Sequence, residues 1–183
     1  MKKIIILFSG NGTNFNHIIK TLHKKELEIV LAITNNTNSK GIKIAKENNI
    51  PIKIIDSNKY KNRKDFDKVL VDKINEYNPD LTVLAGFMRI LTEHFTENIK
   101  AINLHPSLLP RNKGLNAIER SFEDSYPVGG ISVHFVSLEL DDGEIILQKE
   151  IIKENLSFEE YEAKVKELEK EVLSESILKI LNK

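Results

Sequence analysis

An amide and an imidazole stand together at the end of a predicted strand, where they could polarise a carbonyl group and transfer a proton. Asn103 and His105 alternate with Ile102 and Leu104, so the two-residue period of a strand places both polar side chains on one face. Pro106 lacks an N–H for a strand ladder and ends the run. The residues alone leave two interpretations open, a polar pair at the edge of a sheet or part of a catalytic site.

Asp141 is a candidate partner for this pair, because a carboxylate beside an imidazole orients the ring and stabilises its protonated form. It lies in the turn cluster 140–143, where aspartate and glycine are also expected for structural reasons. His134 lies in a predicted strand with parity opposite to that of its apolar neighbours, and it is interpreted as structural. No short spacing of histidines supports a metal site, so none is predicted.

The glycine-rich stretch at 9–14 (Ser-Gly-Asn-Gly-Thr-Asn) separates a strand pattern from a helix pattern. It fails as a dinucleotide fingerprint, because Phe15 occupies the position of the third glycine and no acidic residue follows about twenty positions on. What remains is a nest suited to one phosphate, with Thr13 and Asn14 as caps and ligands. A tight strand-to-helix turn without a ligand is the alternative.

A second loop, Gly86–Leu91, follows a buried strand at the end where open α/β sheets bind ligands. Phe87, Met88, Ile90 and Leu91 make it unusually apolar for a loop. These side chains could line a slot for a flat heteroaromatic ligand. Packing beneath the next helix is the alternative.

The elements that must position these residues alternate between strand and helix. Buried β-branched runs indicate strands, and apolar residues at 3/4 spacing indicate helices. Strands are predicted at 3–8, 27–34, 52–55, 81–85 and around Asn103, with helices after Thr13, at 41–49, at about 62–77 and near 92–97. This alternation predicts a parallel sheet with right-handed crossovers.

The C-terminal part has a different pattern. Predicted strands at 130–136 and 145–151 flank the turn cluster and are expected to pair as a hairpin. Ser157 and Glu160 have the spacing of a capping box, which opens a last helix. Its core-facing stripe comprises Phe158, Tyr161, Val165, Leu168 and Val172.

Composition excludes several classes of function. The 183 residues suffice for one sizeable core, and Lys plus Arg equal Asp plus Glu at 27 each, which argues against nucleic-acid and membrane partners. The absence of cysteine excludes disulfides, thiolate nucleophiles and Cys-ligated zinc. The apolar run at 4–8 is too short for a signal peptide, and no segment approaches the roughly 18 apolar residues of a spanning helix. A cytoplasmic protein is expected.

Five segments together resemble the phosphoribosylglycinamide formyltransferases, the folate-dependent formyltransferases of purine synthesis. They are residues 9–14, 84–91, 103–110, 132–136, and 140–141 before 146–148. The resemblance covers nearly the whole chain. Segment 103–110 (Asn-Leu-His-Pro-Ser-Leu-Leu-Pro) marks the wider formyltransferase class. Segment 9–14 is the narrower signal, because relatives that act on methionyl-tRNA have a different loop there.

The resemblance implies an α/β, three-layer fold with a mostly parallel twisted sheet of about seven strands. The whole chain, 1–183, is then one formyltransferase domain. Its Rossmann-like half, about 1–100, is expected to bind the phosphate. The half at about 101–183 is expected to carry catalysis and folate binding, together with the hairpin and the last helix.

The family's site residues are carried over position by position. The resemblance implies that Asn103, His105 and Asp141 are catalytic, and that Glu169 binds the glycinamide end of the substrate. The substrate phosphate is expected at Gly12, Thr13 and Asn14. Folate contacts are expected from Arg63, Met88, Arg89, Ile90, Leu91 and Asn103.

The implied reaction moves the formyl group of 10-formyltetrahydrofolate to the amine of glycinamide ribonucleotide, without a metal. Asn103 would donate a hydrogen bond to the developing oxyanion. Asp141 would orient His105 and raise its pKa, so that the imidazolium donates a hydrogen bond or a proton.

Three departures from the family pattern stand near these residues. Lys113-Gly114-Leu115-Asn116 replaces a common Pro-Gly-x-His, so a different order of that loop is expected. Asp142 replaces the usual glycine after the catalytic aspartate. Ser174 replaces a common proline in the last helix, with little expected consequence for function.

The residues leave alternative functions open. A formyltransferase that acts on an amino sugar nucleotide shares the Asn–His–Asp trio, and a formyltetrahydrofolate hydrolase would form product without an amine. A non-catalytic nucleotide-binding module would tolerate the loss of His105. The phosphate nest favours the purine enzyme. Small molecules are the expected partners, and both a monomer and a homodimer are compatible with the sequence.

Overall fold

Seven strands form one sheet in the order β3-β2-β1-β4-β5-β6-β7 in the computed structural model, which describes residues 1–183. The strands are β1 Lys2–Phe8, β2 Leu27–Thr34, β3 Ile52–Ile54, β4 Leu81–Leu84, β5 Ala101–His105, β6 Val128–Phe135 and β7 Ile145–Ile152. The helices are α1 Thr13–Thr21, α2 Gly41–Glu47, α3 Arg63–Asn75, α4 Glu93–Asn98, α5 Ala117–Glu123 and α6 Phe158–Leu181. The predicted α/β fold with a mostly parallel sheet is confirmed.

The chain divides into two compact units, 1–102 and 103–183, with the boundary inside β5. In the first unit β1 pairs in parallel with both β2 and β4. A strand with neighbours on both sides and helices over its faces must be apolar throughout, and residues Ile4–Phe8 are completely buried. Asn62 is the N-cap of helix α3, and its side chain accepts a hydrogen bond from the Asp65 amide.

In the second unit β6 and β7 pair antiparallel, as the hairpin prediction requires. Helix α6 packs on both strands and buries Tyr161, Val165 and Val172, three members of the predicted stripe. The predicted capping box is present, with Ser157 and Glu160 each bonded to the other's backbone N–H.

Helix α5 was not predicted from the sequence. Its seven residues contribute only Ala117 and Ser121 to the buried interior, which leaves no apolar periodicity to detect. None of the helices is both long enough and apolar enough to cross a membrane.

Candidate active site

The end of β5 brings Asn103 and His105 into one cluster with Asp141. The imidazole of His105 is 6% exposed and the Asp141 residue is 7% exposed, so both are shielded from bulk water. His105 Nδ1 lies 3.4 Å from Asp141 Oδ2, and Asn103 Nδ2 lies 3.5 Å from Asp141 Oδ1. The structure therefore places the three predicted catalytic residues together.

The two ring nitrogens of His105 have different partners. Nε2 lies 2.8 Å from the carbonyl oxygen of Asn112, and because a carbonyl oxygen only accepts, Nε2 carries the proton. In the neutral ring Nδ1 is then the free base, and it faces the Asp141 carboxylate. Protonation at Nδ1 would turn that contact into an ion pair.

The pKa of His105 is shifted in the direction opposite to the prediction. Burial lowers the pKa below its ordinary value, although the Asn112 carbonyl and Asp141 both act to raise it. The sequence showed the carboxylate but could not show how completely the ring is buried. The neutral imidazole is consequently the resting form at neutral pH.

Asp141 is held in a backbone conformation that few residues adopt. Its φ is 52°, in the left-handed region, where aspartate is more tolerant than most side chains. The Gly114 amide donates to Oδ2 at 2.9 Å. Burial by itself would raise the pKa of the Asp141 carboxyl, but His134 and the Gly114 amide outweigh it and the pKa is lowered. The carboxylate therefore stays ionised.

His134 belongs to the same cluster. The sequence-based interpretation of His134 as a structural residue missed these contacts. Its Nδ1 donates to the Phe135 carbonyl at 2.8 Å, so Nε2 of the neutral ring accepts from Asn103 Nδ2 at 3.3 Å. Nε2 also lies 3.6 Å from Asp141 Oδ1. The parity of His134, opposite to that of Ile131 and Val133, was the signal in the sequence. This contact fixes the plane of the Asn103 amide.

Lys113 and Asp142, two of the residues that depart from the usual family pattern, contact each other. Lys113 Nζ donates to Asp142 Oδ1 in an exposed ion pair. This contact and the Gly114 bond to Asp141 both join the loop after Pro110 to the turn that carries Asp141 and Asp142. Lys113 and Asp142 depart from the usual family pattern, whereas Gly114 belongs to it.

In the first unit, the glycine-rich loop ends at Gly12, which is the N-cap of α1. Gly12 has φ 71°, and no side chain caps the helix, so the expectation that Thr13 and Asn14 act as caps is wrong. A Cβ at Gly12 would lie 2.9 Å from Gly41 Cα. The amides at the start of α1 are arranged as in an anion site at a helix N-terminus.

Loop 86–91 is held next to the glycine-rich loop by Ser9. The Met88 amide donates to Ser9 Oγ at 2.8 Å, and the Ser9 amide donates to the Gly86 carbonyl at 2.9 Å. Phe87 and Leu91 are buried, as packing beneath the next helix requires, whereas Met88 is 67% and Ile90 53% exposed. The two exposed side chains are available to a ligand.

A cavity of about 560 Å³ opens at the C-terminal ends of the strands in this unit. Its volume is typical of a small-molecule site. No charged side chain lines it; the lining residues are Ser9, Gly10, Asn35, Asn36, Ser57, Asn58, Gly86 and Met88.

The remaining predicted residues lie on helices. Arg63 is the exposed first residue of α3, and Phe66 of the same helix lies under Arg89, with the guanidinium carbon 4.7 Å from the ring centre. Glu169 is half-buried on α6.

No group of three or more His, Cys, Asp or Glu side chains is arranged to hold a metal ion.

Comparisons with known proteins agree on one family. The family model described as formyl transferase matches residues 2–177. Phosphoribosylglycinamide formyltransferase of Haemophilus influenzae is 38% identical over 177 residues, which cover 94% of this chain and 84% of that protein. The trifunctional purine biosynthetic protein adenosine-3 of Gallus gallus is 38% identical over 91% of this chain, which spans only 17% of that longer protein.

A solved structure gives the same answer. The crystal structure of phosphoribosylglycinamide formyltransferase from Campylobacter jejuni subsp. jejuni is 52% identical, with a TM-score of 0.96 over 98% of this chain and 97% of that one. Sequence, fold and the Asn–His–Asp cluster thus agree, and the chain belongs to the formyl transferase family.

Proposed function

We propose that this protein transfers the formyl group of 10-formyltetrahydrofolate to the amine of 5'-phosphoribosylglycinamide, a step of purine biosynthesis. The observation that carries the proposal is the cluster of Asn103, His105 and Asp141, with Asp141 fixed by the Gly114 amide. This cluster supplies an amide donor, a buried base and an ionised carboxylate to one reacting centre.

Gly12, Thr13 and Asn14 bind the substrate phosphate in this proposal. The uncapped start of α1 supports it, because backbone N–H groups and the helix dipole both favour an anion there. Glu169 binds the glycinamide end of the same substrate.

The folate lies against loop 86–91. Met88 and Ile90 present exposed apolar surface to its ring system, and Leu91 supports the loop from the buried side. Arg89, held over the Phe66 ring, and Arg63 supply positive charge for the folate's carboxylates.

The reaction begins when the amine nitrogen attacks the formyl carbon and the carbonyl electrons move to oxygen. Asn103 donates an N–H to that oxygen; the hydrogen that it directs at Asp141 over 3.5 Å makes only a weak bond there and is therefore available to the intermediate. His105 takes the proton that the amine loses at Nδ1, and Asp141 stabilises the resulting imidazolium. The bond from carbon to N10 then breaks, and N10 keeps the electron pair and receives that proton.

A spectrophotometric assay with 10-formyl folate, run with and without glycinamide ribonucleotide, tests the proposal. Product folate that forms only with the amine present supports transfer. Equal product without the amine would make the protein a formyltetrahydrofolate hydrolase. Folate binding without turnover would identify a different amine, such as an amino sugar nucleotide, as the acceptor to test next.

A further inference from the structure

Asn112 is the residue whose backbone touches the catalytic imidazole. Its carbonyl accepts the Nε2 proton of His105 at 2.8 Å. To point the carbonyl there, Asn112 adopts a φ of 55°, a left-handed conformation that costs most residues about 1–2 kcal/mol. Asparagine tolerates this conformation better than most residues do, and contacts of its side chain can then fix it.

The side chain of Asn112 provides that hold. Its Nδ2 donates to Asp124 Oδ2 at 2.8 Å and to Ser121 Oγ at 3.3 Å. Asp124 is the C-cap of α5. The amide thus ties the loop that covers His105 to the end of a helix.

Asp124 is itself fixed by a lysine that is almost completely buried. Lys153 Nζ lies 2.7 Å from Asp124 Oδ1, and its side chain is 9% exposed. The same ammonium donates to the carbonyl oxygens of Ser121 and Asp124 at 2.7 and 2.9 Å. Burial would raise the pKa of Asp124, but the bonds from Lys153 and Asn112 lower it, so the carboxylate remains an acceptor.

We propose that Asn112 and Asp124 are positioning residues for the reaction: the Asp124 carboxylate holds the Asn112 amide, and the Asn112 carbonyl then keeps the His105 proton on Nε2. The proposal rests on the proposed catalytic role of His105. Its consequence is that Nδ1, which faces Asp141, is always the nitrogen that is free to take a proton. A ring released from Asn112 would exchange tautomers and present the wrong nitrogen in part of the molecules.

The tautomer can be measured without turnover. Nitrogen-15 NMR of the His105 imidazole, at a pH where the ring is neutral, is expected to show Nε2 protonated in the unmodified protein. His134 and Arg120 also act on His105 electrostatically, and both stay unchanged in every variant of this test. Asn112→Gly keeps the backbone conformation accessible but removes the tether, and it is expected to give a mixture of tautomers.

Kinetics provide the second readout. Asn112→Asp would set a carboxylate against Asp124, and we expect kcat to fall by about 10- to 100-fold while KM changes little, since misplacement of a catalytic group has effects of that size. The exchange variant Asn112→Asp/Asp124→Asn restores an amide–carboxylate pair with the roles reversed, and it should recover most of kcat. Asn48→Asp makes the same chemical change at the C-cap of α2, in the first unit, and serves as the control.

Three results would overturn the proposal. The first is an Asn112→Gly variant with full kcat and an unchanged His105 tautomer. The second is an exchange variant whose kcat is as low as that of Asn112→Asp while both variants are folded. The third is a loss of kcat in Asn48→Asp as large as that in Asn112→Asp. Should Asn112→Asp fail to fold, Asn112→Gly still decides between the outcomes. Failure of the proposed function is distinguishable, because the unmodified protein would then transfer no formyl group whatever the state of its His105 tautomer.

Discussion

Asp141 carries the negative charge that both histidines of the site face. Asp141→Asn keeps an acceptor for the Gly114 amide but removes the charge that stabilises a protonated His105. We expect the variant to fold and kcat to fall at least about a hundredfold, in line with the roughly 2.7–4 kcal/mol that one transition-state contact contributes. Steady-state assays and circular dichroism measure both quantities.

Asp142→Asn is the matched control for that variant, since it alters the neighbouring carboxylate in an exposed ion pair with Lys113. Exposed ion pairs contribute little to stability, so the kcat of Asp142→Asn should stay within about twofold of that of the unmodified protein. Equal losses in the two variants would contradict a special role for Asp141.

The pKa of His105 gives a second prediction at the scale of the residue. If the neutral ring is the base, activity is lost as the pH falls through that pKa, which burial places below the ordinary value of 6.5. The acid limb of the kcat/KM profile should therefore lie below 6.5. In Asp141→Asn it should move lower still, because the carboxylate acts to raise the pKa. An acid limb above 6.5 would instead support a resting imidazolium.

At the scale of elements, the turn into α1 depends on a glycine. Gly12→Ala would combine a left-handed φ with a Cβ 2.9 Å from Gly41 Cα. We expect the free energy of unfolding to fall by about 1–2 kcal/mol or more and the KM for the phosphorylated substrate to rise. A Cβ at Gly10 meets nothing within 4 Å, so Gly10→Ala is the control in urea unfolding. Similar unfolding curves for the two variants would contradict this account.

Loop 86–91, the proposed folate site, is anchored at its far end by Asp67 of α3. This carboxylate is 1% exposed and accepts from the Thr92 amide at 2.6 Å and from its hydroxyl at 2.7 Å. Ser9 holds the other end through Met88. Contacts with α3 and with the residue that follows β1 thus hold the loop at both ends.

Asp67→Ala should therefore leave the Thr92 donors without a partner, at a cost of about 1–3 kcal/mol in unfolding free energy, and should raise the folate KM with kcat nearly unchanged. Asp67→Asn keeps one hydrogen-bond acceptor, so its unfolding free energy and its folate KM should both lie close to those of the unmodified protein. Thr82 is a matched control, because its buried hydroxyl has no hydrogen-bond partner and Thr82→Val should leave the folate KM unaltered. A folate KM insensitive to Asp67 would place the folate elsewhere.

At the scale of the whole molecule, local periodicity and the family pattern were enough to predict the main features of the fold. These features include the parallel sheet, the hairpin and the capping box of α6. The proximity of Asn103, His105 and Asp141 was predicted in the same way. Burial, in contrast, depends on distant parts of the chain. That is why the direction of the His105 pKa shift, the contacts of His134 and the network around Asn112 emerged only from the structure.

The charge of the whole chain bears on how its substrates arrive. Both proposed substrates are anions, yet Lys plus Arg and Asp plus Glu balance at 27 each, so no net field draws them in. We expect kcat/KM to change by less than about threefold between low and physiological KCl. Potassium phosphate of equal ionic strength should raise the KM for the phosphorylated substrate alone, because phosphate competes at the start of α1. A tenfold loss in KCl would instead reveal a local cluster of cations that dominates encounter, and equal effects of the two salts would argue against a dedicated phosphate site.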